Sequence, residues 1–286
     1  MKTWRLLDTG ASPGSLNMAI DQAVLAMHAR GESPATLRIY QWSPPAISLG
    51  YFQRCHGIDL AACRRLGIDV VRRPTGGRAV LHFEDLTYSV VAGTTDGIPS
   101  AVTAAYRLIC KGLSAAFRVL GFETELGRQG DWSPRSDICF LTTTAGDLLH
   151  KGKKFVGSAQ TWQGSSMLQH GSIILEPHAE ILARLQGSEY GPSTTYEEML
   201  EHRMTSVREI LGRVPGTGEV GAAIQHGMAH ALGTEFTEGK LSQREWAMIR
   251  EIIDQQVEAG LWSAKEVPEP QLACTGSPFS VERGQY

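Results

Sequence analysis

Long apolar runs are missing from this 286-residue chain. No stretch approaches the roughly 18 apolar residues that a membrane-spanning helix requires, and the opening Met1-Lys2-Thr3-Trp4-Arg5 lacks the apolar core of a secretory signal. A cytoplasmic location with no membrane partner is therefore expected. Cysteine is scarce as well: Cys55, Cys63, Cys110, Cys139 and Cys274 are odd in number, far apart and without a C-x-x-C pair. That pattern argues against a disulfide framework and a structural zinc site, and leaves single thiols free for chemistry. An excess of one charge is absent too, since 27 Lys and Arg against 30 Asp and Glu leave a net charge of -3 with no block of like sign. Nothing favours a nucleic-acid groove, so any basic patch is local. Repeats and low-complexity segments are also missing. What is present is ordinary globular material, 42% hydrophobic and 20% charged, long enough for one large domain or two small ones.

Periodicity supplies the elements. Ser15 to Ala29 repeats apolar residues at helical spacing with Ser15 as its expected N-cap, and Ser100 to Leu120 does so more strongly, with Gly121 just past its end. Between them, Leu37 to Trp42 and Ala46 to Phe52 read as strands parted by Ser43-Pro44-Pro45. Asp59 to Leu66 reads as a short helix. Val70 to Pro74 and Ala79 to His82 read as strands around a Gly76-Gly77 turn, followed by a strand over Leu86 to Ala92. Lys153 to Gln160 and Met167 to Leu175 read as a hairpin about Gly164-Ser165-Ser166. After Pro177 helical patterns dominate, at Ala179 to Leu185, Met204 to Leu211, Gly221 to Leu232 and Ser242 to Ala259. The expected division is a sheet-rich core over residues 1–178, a helical extension of the same domain over 179–265 and a flexible tail over 266–286.

Three patterns imitate known signatures and lack their context. Gly216-Thr217-Gly218-Glu219-Val220-Gly221 fits G-x-G-x-x-G, yet Pro215 and a helical pattern precede it where a dinucleotide site needs a strand. His226 and His230 stand at i and i+4, but Gly227 occupies the position at which a zinc protease carries its glutamate. Ser158, in Val156-Gly157-Ser158-Ala159-Gln160, lacks the second glycine of a nucleophile elbow and reads as a strand or turn serine.

The densest chemistry lies in Arg72-Arg73-Pro74-Thr75-Gly76-Gly77-Arg78-Ala79-Val80-Leu81-His82. Two arginines enter a glycine turn whose missing Cβ atoms let a ligand approach backbone N–H groups, which suits an anionic or carbonyl-bearing ligand. A tight hairpin with solvated arginines fits the same residues. Lys151-Gly152-Lys153-Lys154 puts cations before a strand of small residues, and a solvated charge run is the ordinary explanation for it. Cys139, in a polar loop without helical period, is either an inert buried thiol or a nucleophile.

Taken together, these segments resemble a known family. The arginine-glycine run, then Leu86-Thr87-Tyr88-Ser89, Cys139-Phe140, Lys154-Phe155-Val156-Gly157-Ser158-Ala159-Gln160-Thr161 and Leu168-Gln169-His170-Gly171-Ser172-Ile173, resembles the biotin/lipoate protein ligase superfamily. Within it the pattern is most similar to octanoyltransferases of the LipM type. Trp4-Arg5, Asn17 to Asp21 and Ser48-Leu49-Gly50-Tyr51-Phe52-Gln53 fit the same family, so the resemblance runs from about residue 4 to about residue 176. It implies an α/β fold of the α+β type, with a mixed, largely antiparallel sheet flanked by helices and a helical C-terminal extension. It implies an acyltransferase, acting as a monomer, that moves octanoate from acyl carrier protein to a lysine of a lipoyl-domain protein such as the glycine cleavage H protein. Position by position, Cys139 matches the acyl-thioester nucleophile and Lys154 the lysine that lowers its pKa. Arg73, Gly76, Gly77 and His82 match the acyl-site turn, and Gly157, Ser158 and Ala159 the other wall. Neither ATP nor a metal is expected, because exchange between thioesters is nearly isoenergetic and aminolysis is downhill.

The sequence departs from the family's pattern in two places. Phe83 follows His82 where many relatives carry aspartate, so a polar role there is lost or passes to Glu84 or Asp85. Leu141-Thr142-Thr143-Thr144-Ala145 replaces an acidic, proline-containing stretch after Cys139-Phe140. Rival readings are an ATP-dependent lipoate-protein ligase, with Lys154 on an acyl-adenylate phosphate, an amidotransferase between lipoyl domains, and a non-catalytic acyl-binding module. The presence of Cys139 disfavours the first, and the presence of both Cys139 and Lys154 disfavours the last.

Overall fold

The computed structural model describes residues 2–54, 57–127, 143–187 and 193–258. Cys139, the segment around it and the expected tail over 266–286 lie outside the described residues. The strands are β1 (Lys2–Ser12), β2 (Thr36–Trp42), β3 (Ala46–Leu49), β4 (Asp69–Arg72), β5 (Val80–His82), β6 (Asp85–Gly93), β7 (Glu125–Leu126), β8 (Leu148–His150), β9 (Lys153–Gln163), β10 (Ser166–Ile174) and β11 (Thr234–Glu238). The helices are α1 (Gly14–Ala29), α2 (Leu60–Arg65), α3 (Val102–Val119), α4 (Ala179–Arg184), α5 (Ser193–Arg203), α6 (Val207–Leu211), α7 (Thr217–Leu232) and α8 (Gln243–Glu258).

Eight strands form one sheet in the order β11-β1-β2-β6-β10-β9-β8-β7, and three form a second in the order β4-β3-β5. The large sheet is mixed: β1 runs parallel to both β11 and β2, and the remaining pairs are antiparallel. Helices flank it, as the α+β expectation requires. One face packs against α3 and α7 through Leu37, Tyr88, Val90, Phe117, Phe155 and Ile224. The other carries α1, which α8 in turn covers through Ile249 and Ile253. Buried residues ring α1 nearly all round because it lies between sheet and helix.

Several local expectations change. Pro13, not Ser15, precedes α1, and no side chain caps it. Asp59 does cap α2, accepting from the amides of Ala61 and Ala62. Helix α6 begins at Val207 because Ser206 and Glu209 form a capping box there. The arginine-glycine turn is not a hairpin, since β3 lies between β4 and β5, and β2 and β3 belong to different sheets. Strands β1 and β11 were not foreseen. Their partners are distant in sequence, with Trp4 opposite Phe236, so no local alternation announces them. Burial of the Arg5–Glu245 pair ties β1 to α8: the guanidinium donates to both carboxylate oxygens, at 2.9 and 2.6 Å.

The H-G-x-x-H pattern on α7 has a packing explanation. A Cβ on Gly227 would stand 2.2 Å from the Gly112 carbonyl oxygen of α3, so glycine lets the two helices touch, while His226 and His230 face outward. We expect Gly227→Ala to lower the urea-unfolding free energy by about 1–3 kcal/mol through overpacking. Gly221→Ala on the same helix, whose Cβ meets only Ile39 at 3.8 Å, should leave stability unchanged or slightly raised. Equal losses in both variants would contradict the packing account.

Candidate active site

The second sheet is held to the first by side chains that reach across a cavity of about 430 Å³. Met18, Trp42 and Val80 give that cavity apolar wall, and Ser48, Arg73, Gly77, His82, Gly157, Ser158, Ala159 and His170 also line it. The fold thus brings six of the residues singled out by sequence to one place. Gly76 falls instead on a neighbouring groove with Tyr51, Phe52 and Trp162. Lys154 lies buried behind the wall, while its partner Asp147 lines the cavity.

The arginines are scaffold, not solvated surface. Half-buried Arg72 donates to the carbonyls of Gly50, Tyr51 and Gln53 at 2.6–3.0 Å. Buried Arg73 donates to the carbonyls of Ser48, Gly76 and Arg78 at 2.7–2.8 Å. Together they fix the loop after β3 against the glycine turn. Gly77 has φ +97°, and a Cβ on Gly50 would stand 1.9 Å from the Gly77 carbonyl oxygen, so the two loops meet backbone to backbone.

Beneath the turn runs a continuous polar chain. Arg73 donates to Thr75 Oγ1 at 3.1 Å, Thr75 meets His170 Nε2 at 2.7 Å, and His170 Nδ1 meets Asp21 at 3.0 Å. Asp21 also accepts from Arg38 at 2.8 Å, and from Tyr40 and Ser89 at 2.9 Å. Burial alone would raise the Asp21 carboxyl, but the Arg38 charge and the His170 contact outweigh it and hold the group below the usual carboxylate range. Burial pushes His170 down.

A second group centres on Asp85, which accepts from His82 Nδ1 at 2.8 Å, Ser172 at 2.5 Å and Thr87 at 3.3 Å. The polar role missing at Phe83 therefore falls to Asp85, two residues on. His82 stacks on Trp42 with centroids 3.8 Å apart and planes 12° apart, and its Nε2 meets Ser48 Oγ at 2.8 Å.

On the other wall, Gly171 of β10 has no space for a Cβ, which would stand 2.7 Å from Ser158 Oγ and from Tyr88 Cε1. Ser158 is bonded to Tyr88 at 2.8 Å, and Tyr88 accepts from Gln169. Lys154 Nζ and Asp147 Oδ2 form an ion pair at 2.9 Å with both side chains 1% exposed. Asp147 further accepts from the Thr144 amide, so a buried charge is both paired and hydrogen-bonded. Thr143 and Thr144, which follow Cys139 in the chain, line the cavity. Of the described thiols, burial pushes Cys63 up to about 11 and Cys110 up to about 12, which marks both as unreactive at neutral pH.

Sequence reasoning did not select Asp21, Ser48, Thr75 or Asp147. A carboxylate among the apolar residues of α1 was a signal for Asp21. Asp147 gave none, because its lysine lies across a β-turn on another strand.

The comparisons agree with this geometry. The profile of the lipoyl protein ligase A/B catalytic domain matches residues 13–229. The chain belongs to that family. Its sequence is 42% identical over 254 residues to octanoyltransferase LipM of Kyrpidia tusciae, covering 86% of this chain and 93% of that protein. It is 41% identical over 272 residues to octanoyltransferase LipM of Symbiobacterium thermophilum, covering 92% and 98%. Among solved structures, lipoate-protein ligase A bound with ATP superposes with a TM-score of 0.74 at 25% identity, over 89% of this chain and 95% of that one. Among the described residues, no helix is long and apolar enough to cross a membrane.

His178 packs behind Asp85 and His82, and burial pulls it down to about 4 from 6.5. The unfolded chain takes up that proton first as pH falls, so this part of the stability is present above pH 6.5 and lost between pH 6.5 and 4. Relative to His178→Gln, the wild-type unfolding free energy should drop by about 3 kcal/mol across this window. Parallel curves for the two proteins would contradict the assignment.

Proposed function

We propose that this chain is an octanoyltransferase of lipoate biosynthesis that works in two steps through an acyl-thioester on Cys139. The observation that carries the reading is the juxtaposition, around one small apolar cavity, of the glycine-rich wall of β9, of Thr143 and Thr144 after Cys139, and of Asp147, whose ion-pair partner Lys154 lies behind the wall. A cavity of about 430 Å³ falls within the roughly 300–1,000 Å³ usual for small-ligand sites, and an eight-carbon chain gains up to about 0.8 kcal/mol per methylene buried there.

In the first step the Cys139 thiol loses its proton and the thiolate attacks the thioester of octanoyl-acyl carrier protein. A carbon–sulfur bond forms, the carrier's carbon–sulfur bond breaks, and the carrier leaves as a thiolate that takes up the proton Cys139 released. Lys154 acts as the cation that favours thiolate over thiol. Backbone N–H groups of Gly157 to Ala159 and of the Gly76-Gly77 turn are the oxyanion donors we favour. In the second step a lysine of a lipoyl-domain protein, for which the glycine cleavage H protein is our candidate, takes the octanoyl group as an amide. The thioester supplies the driving force, so the reaction needs neither ATP nor a metal, in contrast to the ligase bound with ATP. Arg72 and Arg73, which the sequence suggested for an anionic or carbonyl-bearing ligand, direct donors at backbone carbonyls, and Arg73 also at the hydroxyls of Thr75 and Ser48. We place the enzyme in the cytoplasm, as a single catalytic domain of core plus helical extension.

Cys139→Ser should abolish ATP-independent transfer of octanoate to the H protein, and transfer at the original rate would overturn the mechanism. Transfer only with ATP would identify a ligase. Lys154→Ala should move the pH profile of Cys139 alkylation by iodoacetamide to higher pH, because the thiolate loses its cation. An unmoved profile would remove Lys154 from this role.

A further inference from the structure

The acyl cavity contains a second chemical constellation that the two-step reading leaves unused. Ser48 of β3, His82 of β5 and Asp85 of β6 are joined in series, with Ser48 Oγ 2.8 Å from His82 Nε2 and His82 Nδ1 2.8 Å from Asp85 Oδ2. Their partners define the direction of the hydrogen bonds. Asp85 accepts from Ser172 and Thr87 as well, which suits a carboxylate and makes His82 Nδ1 the donor. The other ring nitrogen is then an acceptor, and the Ser48 hydroxyl points its proton at it. Arg73 Nη1 donates to Ser48 Oγ at 3.3 Å, and Trp42 stacks on the imidazole and fixes its plane. Among the described residues, the ionisable groups near His82 include Asp85, His170 and His178, and Arg73 reaches it through Ser48. Ser48 and His82 both line the cavity that also holds Gly157 and Ser158.

The second half-reaction poses a problem that the first does not. A protein lysine arrives as an ammonium ion and must lose a proton before its nitrogen can attack. Lys154 is a poor acceptor for that proton, being buried against Asp147 as a cation. We propose that Ser48, His82 and Asp85 form a proton relay that deprotonates the acceptor lysine, an assignment that rests on the octanoyltransferase reading above. The ammonium gives a proton to Ser48 Oγ while the Ser48 hydroxyl proton passes to His82 Nε2, and Asp85 holds the resulting imidazolium. The neutral nitrogen then bonds to the acyl carbon, the carbon–sulfur bond breaks, and the second amine proton leaves with Cys139 as its thiol. Atoms and charge balance: ammonium, thioester and neutral imidazole become amide, thiol and imidazolium. Ser48 is the residue that meets the amine, while His82 and Asp85 are positioning residues that act through it.

The test separates the two half-reactions in Ser48→Ala and Asp85→Asn. Acylation by octanoyl-acyl carrier protein without ATP is followed by intact mass, and the isolated acyl-enzyme is then given either the lipoyl-domain acceptor or hydroxylamine, an amine already neutral at pH 7. Both variants should acylate within about threefold of wild type and release octanoate to hydroxylamine normally, but transfer it to the protein lysine about a hundredfold more slowly. Asp85→Asn acts by removing the negative charge that holds the imidazolium, whichever way its amide is turned. Equal slowing with both amines, no slowing with lysine, or failure to acylate in either variant would overturn the relay. Failure of the wild type to acylate would instead overturn the octanoyltransferase reading itself.

Discussion

A buried carboxylate must be answered by hydrogen-bond donors, and Asp21 is answered four times, by Arg38, Tyr40, Ser89 and His170. Leaving such a charge partly paired costs several kcal/mol, so these four contacts constrain everything attached to them. Asp21 belongs to α1, Arg38 and Tyr40 to β2, Ser89 to β6 and His170 to β10. The interaction therefore sets how the helix lies across three strands of the large sheet. Through His170, Thr75 and Arg73 it also reaches the loop between β4 and β5, which belongs to the small sheet. The cavity between the sheets inherits its shape from this chain of hydrogen bonds.

Backbone proximity is the second constraint. Gly50 touches the Gly77 carbonyl, Gly171 touches Ser158 and Tyr88, and Gly227 touches α3, each where a methyl group would overlap its neighbour. The first two close the walls of the cavity and the third seats α7 on the sheet's outer layer. With the arginines bound to carbonyls, the glycine turn acts as a rigid wall, not as a mobile anion grip. Preorganised walls are what an acyl-transfer site requires, because its donors must stand ready before charge develops.

Much of this was legible in the sequence, for identifiable reasons. Amphipathic spacing announced α3, and the hairpin read over Lys153 to Gln160 and Met167 to Leu175 was visible because its Gly164-Ser165-Ser166 turn is local. The ordered motifs named the family and pointed to residues that the fold does gather, among them Arg73, His82 and Gly157. Other features depended on partners far away in the chain. Strands β1 and β11 pair across more than 200 residues, and the Gly76-Gly77 turn resembled a hairpin because nothing local reveals that β3 lies between its flanking strands. His226-Gly227 looked like part of a metal motif because a helix-packing glycine and a missing glutamate read alike in one dimension. Asp147 and Ser48 take their meaning from Lys154 and His82, which only folding brings to them.

The central claim is that octanoate passes through a covalent enzyme intermediate in this cavity without nucleotide. Its most direct test is a chase. The protein is mixed with octanoyl-acyl carrier protein in the absence of ATP, separated from donor, weighed intact, and then mixed with the lipoyl-domain acceptor. The account predicts one octanoyl group on the enzyme, mapped to Cys139, that disappears as the same group appears on the acceptor lysine. Transfer that proceeds with no adduct at any time, or an adduct on Cys139 that the acceptor cannot remove, would contradict it.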